Sequence, residues 1–164
     1  MTPLYRRFLS LRRNQAQILD AGCGSGRDAR AFAKRGYAVT AFDASHALLA
    51  LAERHVSEPV HYLRFQDVAW QEAFDGIRAC ASLLHVPAAE LPDVMRRMRN
   101  ALKPRGILYG AFKYGSDERE QPGRRFTDLD EPGLAALLRC VSDLEPVETW
   151  SIGDLRPATR RSAG

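Results

Sequence analysis

The chain has 164 residues, of which 45% are hydrophobic and 27% are charged, and its formal net charge is +4 at pH 7. These proportions are ordinary for a globular protein, so they exclude a disordered chain and a membrane-embedded one. We expect a single domain over residues 1–164, which is long enough to bury a sizeable core. The basic excess is arginine scattered along the chain, and it is only a weak argument for a nucleic-acid partner.

The N-terminal stretch MTPLYRRFLSLRR bears on cellular location. Arginines interrupt its apolar residues, and it has neither a continuous hydrophobic region nor a small-residue cleavage site, which predicts a cytoplasmic protein with no membrane association. The cysteines Cys23, Cys80 and Cys140 lie far apart and form no C-x-x-C pair. The sequence therefore predicts free thiols, with no disulfide framework and no metal site.

The first elements in chain order are a strand and a helix. The continuous apolar run QILDA predicts a strand that is covered on both faces. A helix is then predicted from Ser25, a residue type that caps helix N-termini, to Gly36, a residue type that ends helices. Its predicted buried face comprises Ala29, Phe32 and Ala33.

Three more strands and a helix follow. YAVTAFD predicts a second strand that ends at Asp43, and Ser45 can cap a second helix. The predicted buried face of that helix comprises Leu48, Leu49, Leu51 and Ala52. VHYLRFQD predicts a third strand, which ends at Asp67, and FDGIRACASLL a fourth.

The second half of the chain continues the alternation. ELPDVMRRMRNALKP predicts a strongly amphipathic helix that stops at Pro104, and GILYGAFKYG predicts a fifth strand. We interpret SDEREQPGRR as a polar, poorly ordered loop. A further helix can open at Thr127 or Asp130, and PVETWSI predicts a sixth strand. Alternating strands and helices predict an α/β fold: a Rossmann-like, doubly wound, mostly parallel sheet with helices on both faces.

The segment ILDAGCGSGRD, residues 18–28, is the first strand-to-helix turn, where ligands of such sheets usually bind. The dinucleotide fingerprint requires glycine or alanine where this chain has Arg27, and the P-loop pattern is absent. A carboxylate at Asp20 suits an ammonium or a positive sulfonium rather than a pyrophosphate. Asp43 is placed to accept ribose hydroxyls, and Asp67 to accept from an exocyclic amine.

Together these segments resemble the class I S-adenosylmethionine-dependent methyltransferases. LDAGCGSG resembles the glycine motif, AFDAS the ribose-binding acid, FQDV the adenine-binding segment, and FDGIRACASLLHV and ALKPRGILYGAF the fourth and fifth strands. GRDARAFAKRGYAVTAFD is further similar to small bacterial methyltransferases of the tellurite-resistance type, grouped with types 11 and 12.

The resemblance implies S-adenosylmethionine as cofactor and S-adenosylhomocysteine as product. It implies that the glycine turn lines the methionine half of the cofactor, that Asp43 with Ala44 holds the ribose, and that Asp67 and the Val68 N–H contact the adenine. Ser82 and Leu83 would lie beside the sulfonium and face the acceptor. The implied cofactor-binding residues are Asp20, Gly22, Cys23, Gly24, Asp43, Ala44, Asp67, Val68 and Ser82.

The reaction implied is in-line methyl transfer to a small-molecule acceptor, in which a protein contributes mainly proximity, alignment and electrostatics. His85 is the best-placed candidate for a general base. Lys113, Tyr114, Arg124 and Arg125 could meet the acceptor, although a solvated loop is the simpler interpretation. Two alternatives stay open: an RNA or other nucleic-acid methyltransferase, and a non-catalytic cofactor-binding or partner subunit.

Both ends of the chain depart from the family pattern. Only 17 residues precede Ile18, so we expect a short or missing lid over the cofactor. After VETWSI the residues GDLRPATRRSAG lack apolar alternation, so we expect the family's seventh strand to be absent. That would leave a sheet edge that is exposed or covered by another chain, for example in a dimer.

Overall fold

The structure is a computed structural model that describes residues 8–9 and 15–152. In chain order its regular elements are β1 (Gln17–Ala21), α1 (Arg27–Ala33), β2 (Ala38–Asp43), α2 (His46–Ala52), β3 (Val60–Tyr62), β4 (Phe74–Ala79), α3 (Leu91–Ala101), β5 (Leu102–Gly110), β6 (Glu118–Gln121), β7 (Arg124–Thr127) and α4 (Glu131–Arg139). Two short 3-10 helices, Phe65–Asp67 and Leu83–His85, follow β3 and β4.

Five of these strands form one parallel sheet in the order β3-β2-β1-β4-β5. The chain moves outward from β1 through β2 to β3, then returns to the other side of β1 for β4 and β5. The order therefore reverses between β1 and β4, the position where ligands bind in such sheets. The predicted Rossmann-like α/β fold is confirmed.

The sheet has a buried core on each face. On one face α3 and α4 pack on it, with Val94, Met98 and Leu137 against Leu19 and Ile77. On the other face the core comprises Phe8, Leu9, Ala16, Ile18, Ala29, Phe32, Val39, Ala41 and Val56. Burying each large apolar side chain stabilises the fold by roughly 1.5–3 kcal/mol before conformational entropy is counted, so the helices are held mainly by these contacts.

The ends of α1 follow the prediction at one terminus only. Ser25 does not cap the helix: α1 begins at Arg27, preceded by Gly26 in the left-handed region at φ 78°. At the other end Gly36 has φ 84°, and the N–H groups of Gly36 and Tyr37 donate to the carbonyls of Ala33 and Phe32. These bonds define a glycine-terminated helix, so the predicted C-terminus is confirmed.

The prediction for α2 is half right. Ser45 caps it, because the Ser45 Oγ accepts from the Leu48 N–H at 3.3 Å. Leu49 and Ala52 are buried, whereas Leu48 and Leu51 are 38% and 42% exposed. In a helix of seven residues only one narrow face reaches the core, and the predicted buried face was too wide.

Two predicted boundaries are wrong. β3 stops at Tyr62, and the chain then turns so that Phe65 packs edge-on against Phe42, with ring centroids 5.1 Å apart. α3 ends at Ala101 rather than Pro104, because Leu102 already pairs with Phe74 of β4. Contact with a distant segment, ring packing in the first case and strand pairing in the second, overrides the local signal in both places.

The segment predicted to be a polar loop is a β-hairpin. β6 and β7 pair antiparallel around a turn in which Gly123 has φ 75°. Arg119 binds both oxygens of Asp128 at 2.9 and 3.0 Å, and Arg125 binds Glu118 at 3.2 Å. The sequence predicted a loop because the segment is polar and has no apolar face. The hairpin is stabilised instead by ion pairs between charged side chains within and beside it.

PVETWSI is not a strand, so the predicted sixth strand is wrong. Val147 and Ile152 are 76% and 72% exposed, and Trp150 packs on Tyr109 with ring centroids 6.1 Å apart. Within the described part of the chain no strand pairs with the free side of β5, which is the sheet edge there. The predicted absence of a seventh strand concerns residues 153–164, which lie outside the described residues. The predicted short lid concerns the residues before Ile18, and most of these also lie outside the described residues.

Over the described ranges, none of the helices is at once long and apolar enough to cross a lipid bilayer.

Candidate functional site

The glycine turn between β1 and α1 lies over the carboxyl end of β2. The N–H groups of Gly22 and Cys23 both donate to the Phe42 carbonyl at 2.9 Å. Gly22 has φ 71°, and a Cβ placed on it would lie 2.4 Å from the Ser82 Cβ. A Cβ on Gly24, at φ 57°, would meet nothing within 4 Å. Gly22 is therefore required by packing, whereas Gly24 borders open space that a ligand can enter.

Asp43 holds this turn from the end of β2. One carboxylate oxygen accepts from the Gly24 N–H and the other from the Ser45 N–H, both at 2.9 Å. A carboxylate has about four acceptor sites, so each oxygen keeps one for a further donor such as a ribose hydroxyl. Ala44, beside it, is exposed. The structure thus gives Asp43 a role in shaping the loop that the sequence did not reveal.

Asp20 is the buried acid of the site. It is 3% exposed, it accepts a backbone hydrogen bond from Ala29, and its Oδ2 has no hydrogen-bond partner. The pKa of Asp20 is raised to about 7, chiefly by burial. The carboxylate of Asp28 and, to a smaller extent, that of Asp43 also raise this pKa, whereas the guanidinium of Arg78 lowers it. A buried, unpartnered carboxylate oxygen is costly unless a donor or cation reaches it.

Sequence reasoning missed the ion pair beside Asp20. Arg78, on β4, is 2% exposed and its guanidinium pairs with Asp28 at the start of α1. The guanidinium also lies over the rings of Tyr109 and Phe32, 5.2 and 5.9 Å from their centroids. The signal was present, since an arginine in the interior of the strand FDGIRA of a doubly covered sheet requires a buried partner.

Cys23 is half-buried within the glycine turn. Burial raises the pKa of the Cys23 thiol to about 12, and the nearby carboxylates of Asp20 and Asp43 act in the same direction. The side chain is therefore a thiol at physiological pH and has no thiolate with which to act as a nucleophile.

The segment predicted to bind adenine has a different secondary structure from the predicted one. Asp67 is in a 3-10 helix, not at the end of a strand, and its two oxygens accept from Arg64 at 2.8 and 3.1 Å. This pairing lowers the pKa of Asp67. The Val68 N–H donates to the Phe65 carbonyl at 3.3 Å, and Val68 is buried. Both groups already have partners that an adenine would have to share or replace.

Ser82 and Leu83 both have contacts within the protein. The Ser82 hydroxyl donates to the Ala21 carbonyl at 2.7 Å and so ties the loop after β4 to the end of β1. Leu83 is fully buried in the core. The exposed residue at this point is Ala81, which has φ 53°. Both residues follow the end of β4, and Ser82 lies against Gly22; their role beside a sulfonium stays a prediction.

His85 joins this loop to the hairpin. Its Nδ1 lies 2.8 Å from the Arg125 carbonyl, and its ring packs on Phe126 with centroids 5.0 Å apart. Because a carbonyl only accepts, Nδ1 carries a hydrogen, and the neutral imidazole in this tautomer has its lone pair on Nε2. The Thr127 hydroxyl adds a second tie, donating to the Val86 carbonyl at 2.7 Å. The hairpin therefore stands beside the carboxyl end of β4.

Three of the four other residues predicted to meet an acceptor have partners of their own. The Tyr114 hydroxyl donates to Glu131 at 2.7 Å, and Arg125 pairs with Glu118 and Glu120. The Lys113 ammonium lies over the Phe126 ring, 4.1 Å from its centroid. Arg124 is exposed next to the hairpin turn.

Comparison with known proteins agrees with this geometry. The profile of the family described as methyltransferase domain matches residues 18–106, more than half of the chain, and spans β1 to β5. The chain belongs to this family, within the class I S-adenosylmethionine-dependent methyltransferases. S-adenosylmethionine is the cofactor of that class.

Individual relatives show how far the likeness extends. A ubiquinone biosynthesis O-methyltransferase from Histophilus somni is 32% identical over 106 residues, which are 58% of this chain and 44% of that protein. The chain spans about half the length of the curated relatives that it matches.

Two solved structures share the fold. The Burkholderia thailandensis 1,6-didemethyltoxoflavin-N1-methyltransferase, with bound 1,6-didemethyltoxoflavin and S-adenosylhomocysteine, is 24% identical, with a TM-score of 0.63 over 84% of this chain and 68% of that one. A methyltransferase from Methanosarcina mazei is 20% identical, with a TM-score of 0.71 over 85% of this chain and 84% of that one.

Proposed function

We propose that this chain transfers a methyl group from S-adenosylmethionine to the hydroxyl of a small-molecule acceptor. The observation that carries the proposal is the meeting of three features at the carboxyl ends of β1 and β2. These are the buried oxygen of Asp20 that has no hydrogen-bond partner, the open space at Gly24, and the carboxylate of Asp43, whose two oxygens each accept one backbone N–H. The choice of a hydroxyl acceptor rests on the O-methyltransferase relatives.

These residues fit the cofactor. The orphaned Asp20 oxygen suits the ammonium group, the bare backbone at Gly24 admits close approach, and Asp43 retains acceptor sites for ribose hydroxyls. When bound, S-adenosylmethionine supplies a methyl group attached to a positively charged sulfur. After the transfer this sulfur is the neutral thioether of S-adenosylhomocysteine, the leaving group. The protein then needs mainly to align the acceptor and exclude competing water.

His85 is the proposed base. Its Nδ1–H is occupied by the Arg125 carbonyl, so the imidazole is held in the tautomer that accepts a proton at Nε2. Accepting the hydroxyl proton there would make the acceptor oxygen a stronger nucleophile, an effect typically worth about 10²–10⁴-fold in rate. The hairpin that carries Arg125 would form one wall of the acceptor site.

The first test is calorimetric titration of S-adenosylmethionine and S-adenosylhomocysteine into the purified chain, into Asp43→Ala and into Asp93→Ala. Asp93 is a matched control because it is an exposed aspartate of α3 that pairs with Arg97. Binding by the wild type and by Asp93→Ala, but not by Asp43→Ala, supports the cofactor site. A folded wild type that binds neither compound overturns the proposal.

A second test concerns the acceptor. Cofactor-loaded protein is incubated with small phenols and catechols, and separately with bulk RNA, and formation of S-adenosylhomocysteine is measured. Turnover that depends on the small molecules supports the proposal. Turnover on RNA alone would replace the small-molecule acceptor with a nucleic-acid one.

A further inference from the structure

Three charged side chains lie under the glycine turn, on one face of the sheet. Asp20 of β1 and Arg78 of β4 are direct partners in the parallel register. Side chains at registered positions of neighbouring parallel strands point to the same face. Asp28 reaches the same place from the first turn of α1 and pairs with Arg78. Two buried carboxylates and one buried guanidinium thus share a region of low dielectric.

The ion pairs of this cluster are distributed unevenly. One buried guanidinium, Arg78, stands between the two buried carboxylates, the solvent-exposed Arg27 also pairs with Asp28 at 3.1 Å, and Asp43 adds a more distant negative charge from β2. A buried carboxylate with no compensating charge is expensive, and it takes up a proton instead. Asp28 already has Arg78 as its ion-pair partner, whereas the Asp20 Oδ2 has no hydrogen-bond partner. Among the described residues both arginines therefore pair with Asp28, Asp20 has no ion-pair partner of its own, and a cationic group of a ligand would supply one.

We propose that Arg78 is a positioning residue for the cofactor: it shares its charge between Asp28 and Asp20 and so keeps Asp20 able to ionise when a cationic group arrives. The link to a cofactor rests on the proposed function. The electrostatic coupling between Arg78 and Asp20 is independent of that function, because it is a property of the ligand-free protein. Arg78 itself is enclosed by Phe32 and Tyr109 and is not a contact residue.

The arrangement predicts shifts of opposite sign in two variants. Replacing Arg78 by methionine leaves Asp20 facing Asp28 with no cation between them, so Asp20 holds its proton to higher pH. Replacing Asp28 by asparagine removes the repelling carboxylate and leaves Arg78 to Asp20, so Asp20 loses its proton at lower pH. Loss of packing alone would not move the two variants in opposite directions.

The ligand-free experiment measures stability against urea between pH 5 and pH 9 for the wild type, Arg78→Met, Asp28→Asn and Asp20→Asn. Because ionisation of a buried carboxyl destabilises the fold, the pH at which stability stops falling marks the Asp20 pKa. We expect this pH to be higher by at least about one pH unit in Arg78→Met and lower by a similar amount in Asp28→Asn. In Asp20→Asn we expect this change of stability with pH to be absent. Shifts of the same sign, or none, overturn the coupling.

The ligand-bound experiment titrates S-adenosylhomocysteine into the same proteins at pH 7 and pH 9. We expect Arg78→Met to bind at least about fivefold more weakly at pH 7 and to recover at pH 9, since a rise of about one pH unit in the Asp20 pKa lowers the ionised fraction at pH 7 from about one half to about one eleventh. Arg78→Lys keeps the charge and should regain part of the loss. Arg96→Met is the matched control, an exposed arginine of α3, which packs on the other face of the sheet.

The outcomes separate the two proposals. If no protein binds S-adenosylhomocysteine but the pH shifts in stability are as predicted, the cofactor proposal fails and the Arg78–Asp20 coupling holds. If Arg78→Met binds like the wild type at pH 7, the positioning role is wrong. Should Arg78→Met fail to fold, Asp28→Asn and Arg78→Lys decide: an unchanged stability profile in Asp28→Asn overturns the coupling.

Discussion

The carboxylate of Asp43 accepts the N–H of Gly24 at 2.9 Å, across the carboxyl ends of two neighbouring strands. A second bond from the Ser45 N–H fixes the other oxygen. The residue proposed to bind the ribose thus also shapes the loop that would receive the rest of the cofactor. Loss of Asp43 should therefore affect folding and binding together, to different extents.

Asp43→Ala removes two hydrogen bonds to a charged acceptor, each worth about 1.5–3 kcal/mol, at a half-buried site. We expect the free energy of unfolding to fall by about 3 kcal/mol, the lower end of the sum for two such bonds, and cofactor affinity to fall at least about tenfold. Urea unfolding and calorimetry measure the two effects. Asp43→Asn keeps one acceptor and should lose less of both, and equal losses in the two variants would argue against a carboxylate-specific role.

Alanine substitutions at two glycines of the turn form a matched pair. At Gly22 the new Cβ would lie 2.4 Å from Ser82, in addition to the strain of a positive φ, and we expect a loss of about 3 kcal/mol in stability. At Gly24 only the φ is unfavourable, and we expect about 1 kcal/mol. Thermal unfolding compares them. Cofactor affinity should nevertheless fall in a folded Gly24→Ala, because its methyl group enters the open space.

Asp20 should make the ligand-free protein less stable as pH rises. Its pKa is about 7 in the folded state against 3.8 for a solvated aspartate, so the folded state binds the proton more tightly. The stabilisation is fully present below about pH 4 and is lost as pH rises through 7. The difference corresponds to at most about 4 kcal/mol. A profile in Asp20→Asn that matches the wild type would contradict this.

His85→Ala should lower kcat by at least about 10²-fold if the imidazole is the general base. The hairpin tie is lost as well, so Thr127→Val serves as the structural control, since it removes the other tie, to the Val86 carbonyl. We expect Thr127→Val to cost about 1 kcal/mol in stability and to leave the pH dependence of kcat unchanged. Equal rate losses in the two variants would make His85 a structural residue only.

The cysteines should differ in reactivity. Cys140 is exposed, whereas Cys23 is half-buried with a pKa of about 12. Iodoacetamide reacts with thiolates, so at pH 8 we expect Cys140 to be modified well before Cys23. Peptide mass spectrometry over a time course measures both rates. Rapid labelling of Cys23 in the folded protein would show that its thiol is ionised.

The sequence by itself determined the features that depend on neighbouring residues. The run QILDA predicted a buried strand, Gly36 a helix end, Ser45 a helix start, and alternating elements a parallel sheet. Of the two starts predicted for the last helix, Thr127 and Asp130, the structure has Asp130. These are short-range effects, because capping and the allowed φ of a residue depend on positions close to it, and the apolar spacing that predicts an element lies within that element.

Tertiary structure alone decided the rest. PVETWSI has strand-forming residues but no partner strand among the described residues, whereas the charged segment around Glu118 and Arg125 became a hairpin. Arg78 and Asp28 form their ion pair across 50 positions of the chain. Pairing and charge compensation depend on which distant segments meet, and neither segment carries that information on its own.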